Sequence, residues 1–256
     1  MKKDNVTSTR LDVETGKICM AVDKRKSIFR FNAYNRHQWM AKMAKTVPAG
    51  SDVLDAGAGT GPYRDYFSHC NYKTQDLCKT PSTQGKYTEM DYICDITDIP
   101  VAKESFDVVI CSEVLEHVPE PIKAIEEFSR ILRRGGRLFL TSPLGCGIHQ
   151  EPYIYYGGYT PFWYQYFLPM YGFENLKILP NCGFFKHYAQ ESRRFVKYLF
   201  PPHMTIAGKL STFPLKALLS IWFRKLIPVL CHLLERFDKD KRFTVGYFVE
   251  ASRNKE

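Results

Sequence analysis

Apolar residues along this chain fall into short runs, and several of the runs end in an acid. Val53-Leu54 leads to Asp55, Tyr92-Ile93-Cys94 leads to Asp95, and Phe106 with Val108 to Cys111 forms a nearly continuous apolar stretch. Runs of this length predict strands covered on both faces, as in a parallel sheet. Leu138 to Thr141 predicts a further strand, and the looser patterns of Gly172 to Leu179 and Phe243 to Ala251 predict two more. Between them, Phe31 to Lys45 and Ile122 to Leu132 predict helices, the second closed by a turn over Arg133 to Arg137. Strands alternating with helices imply an α/β chain with a doubly wound, mostly parallel sheet. A length of 256 residues is enough for one such domain with a good core and some decoration.

The stretch Asp55-Ala56-Gly57-Ala58-Gly59-Thr60-Gly61-Pro62 follows the first apolar run. Glycines at alternate positions remove the Cβ atoms that would keep a ligand off the backbone, and they permit positive φ where the chain reverses. Pro62 suits the first position of a following helix. A dinucleotide fingerprint needs G-x-G-x-x-G, whereas here the spacing is G-x-G-x-G, and no Lys-Ser/Thr pair makes a phosphate loop. Asp76 lies at the end of Asn71 to Asp76, about where a Rossmann-type strand carries its ribose-binding acid.

This glycine pattern, with an acid two residues before the first glycine, resembles motif I of the class I S-adenosylmethionine-dependent methyltransferases. The passage from Phe106 through Ser112-Glu113-Val114-Leu115-Glu116-His117-Val118 resembles the same family, in its type 11-like branch, and the likeness covers about Ala49 to Pro143. The resemblance implies a Rossmann-like seven-stranded sheet whose last strand, Val245 to Glu250, is antiparallel. It implies S-adenosylmethionine as cofactor, held by Asp55, Gly57, Ala58, Gly59, Gly61, Asp76, Asp95, Ile96, Ser112 and Glu113. In such enzymes an acid like Asp95 contacts the adenine amino group, the apolar residue after it packs on the ring, and Glu113 lies nearer the methionine end. His149, in the loop after the fifth strand, is the first candidate general base, because ligands bind at the carboxyl ends of such strands and histidine titrates near neutrality. His117 is the second candidate.

The net charge is +9, and much of it sits where Ser192 through Leu234 contains no acid but carries Arg193, Arg194, Lys197, Lys209, Lys216, Arg224 and Lys225. Leu215, Leu218, Leu219, Trp222, Phe223, Leu226, Ile227 and Leu230 recur at helical spacing, with a kink expected at Pro228. No uncharged run there reaches the ~18 to 20 residues that span a bilayer, so a basic amphipathic helix lying in a membrane interface is the expectation, with a helical cap or a dimer contact as the alternative. Basic residues embedded in an apolar stripe do not suit nucleic acid. The eight cysteines form no C-x-x-C pair and no Cys/His cluster of metal-ligand spacing, so no metal is expected. Buried thiols and the lack of an apolar leader imply a cytoplasmic protein, and the basic amphipathic helix implies association with the inner membrane face.

The expected organisation is an N-terminal extension over 1–29, a methyltransferase domain over 30–190 and 243–256, and a helical insertion over 191–242. The aromatic run from Tyr153 through Phe167 could line an acceptor site or form a lid. The phrase from His149 to Pro161 resembles methyltransferases of polysaccharide and glycan pathways, although Gly157-Gly158 stands where a more polar segment is expected. The expected activity is methyl transfer to a small-molecule, glycan or lipid-linked acceptor, at oxygen. The alternatives are carbon methylation of a quinone-like lipid, or a non-catalytic adaptor that keeps the fold.

Overall fold

A computed structural model describes residues 24–79, 85–200 and 206–254. Most of the segment expected as an N-terminal extension, 1–23, lies outside the described residues; its end forms helix α1 (Lys24–Phe29), followed at once by α2 (Phe31–Ala44).

Seven strands form one sheet: β1 (Asp52–Ala56), β2 (Asn71–Asp76), β3 (Tyr92–Ile93), β4 (Phe106–Ser112), β5 (Leu132–Pro143), β6 (Phe173–Pro180) and β7 (Gly246–Arg253). Their order is β3-β2-β1-β4-β5-β7-β6. The first five pair in parallel, and β7 enters antiparallel between β5 and β6, as expected of its Val245 to Glu250 run. The sheet is buried from both sides. Trp39, Met40 and Met43 of α2 pack on one face with Phe67, Val108, Ile110 and Phe139. Ala124, Ile125, Phe128 and Ile131 of α3 (Pro121–Ile131) pack on the other with Leu54, Val109 and Leu138.

Two sequence expectations need correction. After the glycine turn there is no full helix, and Pro62 opens none: a single 3₁₀ turn, Arg64–Phe67, is followed by β2 from Asn71. Nine residues between Gly61 and Asn71 are too few to run a helix out and bring the chain back beside β1. The turn over Arg133 to Arg137 lies inside a strand. Leu132 pairs with Phe106 and Arg137 with Val108, so residues 133–136 bulge out of β5 and the ladder resumes.

The aromatic segment is partly core and partly exposed surface. Thr160 caps α4 (Pro161–Met170), its side chain accepting from the Trp163 N–H. Tyr159 and Tyr164 are buried, whereas Tyr155, Phe162 and Tyr166 are exposed. The Tyr159 hydroxyl donates to the Leu115 carbonyl at 2.8 Å, which fastens the loop after β5 to the 3₁₀ turn Leu115–His117.

The boundary expected at 190/191 falls inside α5 (Phe184–Leu199), whose buried stripe of Lys186, Ala189, Ser192 and Val196 continues through it. Helix α6 (Ile206–Ile221), a π-helical stretch at Trp222–Leu226 and α7 (Ile227–Leu234) follow without a break. Pro228 has no N–H to give the carbonyl one turn earlier, and the helix widens there rather than ending. No run free of charge reaches spanning length, yet Thr212–Phe237 is long and apolar enough to cross a membrane by length and composition, with mean hydropathy 1.6 and 11% of its most apolar 18 residues buried. Of its charged residues Lys216, Arg224, Lys225, Glu235 and Arg236, no more than two fall in its most apolar 18 residues, which keep the hydropathy of a span.

Candidate functional site

At the carboxyl ends of β1, β2 and β4 lies a cavity of about 210 Å³. Gly57 and Gly59 form its floor at φ +77° and +54°. A Cβ built on Gly59 meets nothing within 4 Å and would project into open space, whereas one on Gly57 would strike Val114 at 2.4 Å. The Gly59 N–H donates to Asp76 Oδ2 at 3.0 Å, which ties the turn to the end of β2. Gln75 holds the turn from below: its Oε1 accepts from Gly57 N–H at 3.2 Å and its Nε2 donates to the Cys94 carbonyl at 2.7 Å.

Of the residues expected at the cofactor, Gly57, Gly59, Asp76, Asp95, Ile96 and Glu113 line this cavity together. Asp95 Oδ1 also accepts from the Thr97 N–H and hydroxyl, closing a tight turn that presents it at the cavity edge. Asp55, Ala58, Gly61 and Ser112 lie behind the lining. Asp55 is 2% exposed and accepts from the Tyr72 hydroxyl, and burial pushes its carboxyl up to about 7. Ser112 bonds the hydroxyls of Tyr63 and Thr141, each at 2.9 Å.

Glu113 takes a positive φ of 58°, a conformation that persists only where its surroundings impose it. Arg36 Nη1 from α2 donates to its Oε2 at 2.7 Å, and the Thr141 hydroxyl donates to its Oε1 at 3.1 Å. Arg36, Gln75 and Glu116 were missed by sequence reasoning. The alternation of β2 points Gln75 inward, but nothing local in the sequence joins Arg36 to a glutamate 77 residues away.

Of the two candidate bases His117 lines the cavity, whereas His149 lies outside the lining, against His117. His117 Nδ1 donates to the Tyr153 carbonyl, and His149 Nδ1 donates to the Gly147 carbonyl at 2.9 Å. A carbonyl only accepts, so each neutral ring keeps its proton on Nδ1 and presents a bare Nε2. The two rings meet edge to face at 4.9 Å, and burial holds His117 below its ordinary value, with His149 beside it acting in the same direction. Glu116 is 2% exposed with its Oε2 unpartnered, and burial, with Glu113 second, raises its carboxyl well above the ordinary range.

Ligand atoms of Glu116, His117 and His149 all lie within 4.8 Å of one another. Sequence spacing does not connect these three residues; the fold brings them together from two separate segments. Backbone carbonyls on both Nδ1 atoms are the supporting contacts usual for metal-bound histidine, and the same trio can store and pass a proton.

Residues 54–140 match the model of a methyltransferase domain. The chain is 30% identical over 109 residues to a ubiquinone biosynthesis O-methyltransferase of Xanthomonas axonopodis pv. citri, covering 39% of this chain and 46% of that protein. It is 36% identical over 102 residues to a demethylmenaquinone methyltransferase of Paenarthrobacter aurescens, covering 38% and 40%. The chain thus spans less than half the length of these curated relatives. Among solved structures, phosphoethanolamine N-methyltransferase 2 of Haemonchus contortus with S-adenosyl-L-methionine superposes at a TM-score of 0.53 and 19% identity, covering 87% of this chain and 53% of that one. That likeness bears on the fold alone.

Proposed function

We propose, from the premise that residues 54–140 belong to the class I S-adenosylmethionine-dependent methyltransferases, that this chain transfers a methyl group to oxygen of a small-molecule or lipid-linked acceptor. The observation that carries the reading is the cavity itself, where a floor without Cβ atoms faces Asp76, Asp95 and His117, with His149 against His117 and a bare Nε2 on each ring.

The residues fit the cofactor. Asp76 offers a carboxylate to ribose hydroxyls, Asp95 and Ile96 offer an acceptor and an apolar wall to a base, and Glu113 offers a carboxylate to an amino group. S-adenosylmethionine supplies an electrophilic methyl group on a sulfonium, for which positioning is the main demand on the protein. His149 takes the proton from an acceptor hydroxyl at its Nε2, and the edge-to-face contact with His117 holds its ring. Carbon methylation of a quinone-like lipid is the second reading, favoured by the demethylmenaquinone relative and by the exposed apolar face of α6 and α7. The catalytic domain then runs through α5, and the helical segment that follows it faces the inner surface of a membrane.

Titration calorimetry with S-adenosylmethionine and S-adenosylhomocysteine tests the reading without knowledge of the acceptor. Micromolar binding, about −8 kcal/mol, is expected; absence of binding to both would bring the adaptor reading forward. His149→Ala should lower turnover at least about 100-fold, the low end of general-base contributions, with S-adenosylhomocysteine affinity unchanged. Turnover at the wild-type rate would remove His149 as the base.

A further inference from the structure

A second, larger cavity of about 530 Å³ opens between α1, α2, α5 and the π-helical stretch. Arg30, Arg36, Arg193, Arg194, Lys197 and Arg224 line it, and no acidic residue does so. Two acids approach from outside the lining: Glu113 pairs with Arg36 at 2.7 Å and Glu191 with Arg194 at 2.8 Å. Six cations therefore surround one space with two carboxylates to balance them.

Such a cluster is costly unless an anion shares it. Arg193 shows that cost: burial, then Arg224 and Arg30, hold its guanidinium below the ordinary value, while its Nη1 is spent on the Phe29 carbonyl. Buried Arg36 Nε has no partner and remains a donor. The polar floor is pre-formed, since Asn32 bonds Arg36 at 3.3 Å, Asn181 at 2.8 Å and Gln190 at 3.3 Å. Guanidinium forks suit phosphate oxygens in pairs, and the volume suits a diphosphate or a phosphorylated small molecule.

Arg36 also sets the position of this cavity relative to the first. Its guanidinium lines the cationic cavity while binding Glu113, which lines the glycine-floored one. We propose that the cationic cavity is an anion subsite that holds a phosphate or diphosphate group of the methyl acceptor and so directs the rest of that acceptor toward His149. The proposal rests on the methyltransferase reading for the word acceptor; the anion site itself does not. Two sources present that chemistry, a free solute and an isoprenoid chain that leaves along the apolar face, where Leu218, Trp222 and Leu226 are each at least half exposed.

The test is calorimetry of the full chain with inorganic pyrophosphate and with geranyl diphosphate, beside flotation with phosphatidylcholine vesicles with or without phosphatidylglycerol. Pyrophosphate is expected to bind at sub-millimolar strength, and Arg224→Gln and exposed Lys197→Gln should each weaken it at least about tenfold, with thermal unfolding unchanged. Geranyl diphosphate binding about tenfold or more tighter than pyrophosphate identifies the lipid-linked source, and equal affinity the free solute. No pyrophosphate binding at millimolar concentration, with S-adenosylhomocysteine still bound, overturns the subsite and leaves the methyltransferase reading intact. Capture by anionic vesicles alone, without pyrophosphate binding, likewise overturns it and places the charge on an outer membrane-facing surface. Pyrophosphate bound by a chain that binds no S-adenosylhomocysteine keeps the anion site and removes its acceptor role.

Discussion

Gly59→Val is expected to abolish S-adenosylhomocysteine binding, with affinity reduced by about 100-fold or more, near 2.7 kcal/mol. Two causes act together. Gly59 sits at φ +54°, where a β-branched residue costs about 1–3 kcal/mol and would shift the N–H that now donates to Asp76. A Cβ there has no protein neighbour within 4 Å, so the isopropyl group occupies cavity space instead of displacing side chains. The second cause distinguishes binding from folding. Gly50→Val places the same side chain at φ +77° before the amino end of β1, also without neighbours, and serves as the control for backbone strain. Calorimetry on both variants separates the causes: Gly50→Val should lose some thermal stability yet bind normally. Affinity in Gly59→Val within a few-fold of wild type would displace the cofactor site from this cavity.

That glycine turn was legible because its physics is local. Positive φ and close approach are properties of single residues, and the short apolar run Val53-Leu54 ending in an acid needs no distant partner to be read as a buried strand. The same locality misled at Pro62, which suits a helix start in isolation; the distance to β2 decides the matter, and a pattern search does not weigh it. Arg133 to Arg137 looked like a turn and is one geometrically, but β7 pairs with β5 from Arg137 onward and the strand absorbs it. The larger omissions are contacts across long separations. Arg36 meets Glu113, and Glu116 meets His117 and His149, through the packing of α2 and the loop after β5 onto the sheet ends. Those pairings carry the electrostatics of both cavities, and only the assembled fold shows them.

The electrostatics also reach stability. Asp55 on central strand β1 is fully enclosed, and burial raises its carboxyl from 3.8 to about 7 even though the Tyr72 hydroxyl donates to it. Because the folded value exceeds the unfolded one, the native state binds the proton more tightly, and stability falls as pH rises between about 4 and 7. The full difference corresponds to about 4 kcal/mol, and relaxation around the charged group reduces this to about 2–4 kcal/mol. Asp55→Asn removes the titration while keeping an oxygen for Tyr72. Its new amide N–H groups, if unpartnered, add a penalty of about 1–3 kcal/mol that does not vary with pH. The expected result is therefore a change of slope: from pH 5 to pH 8 the variant should gain about 2–3 kcal/mol relative to wild type in urea unfolding. Taking the difference between the two proteins cancels Glu116 and every other group they share. Parallel stability curves across that window would mean that Asp55 stays ionised within the core, with Arg64 and the Tyr72 hydroxyl outweighing its burial.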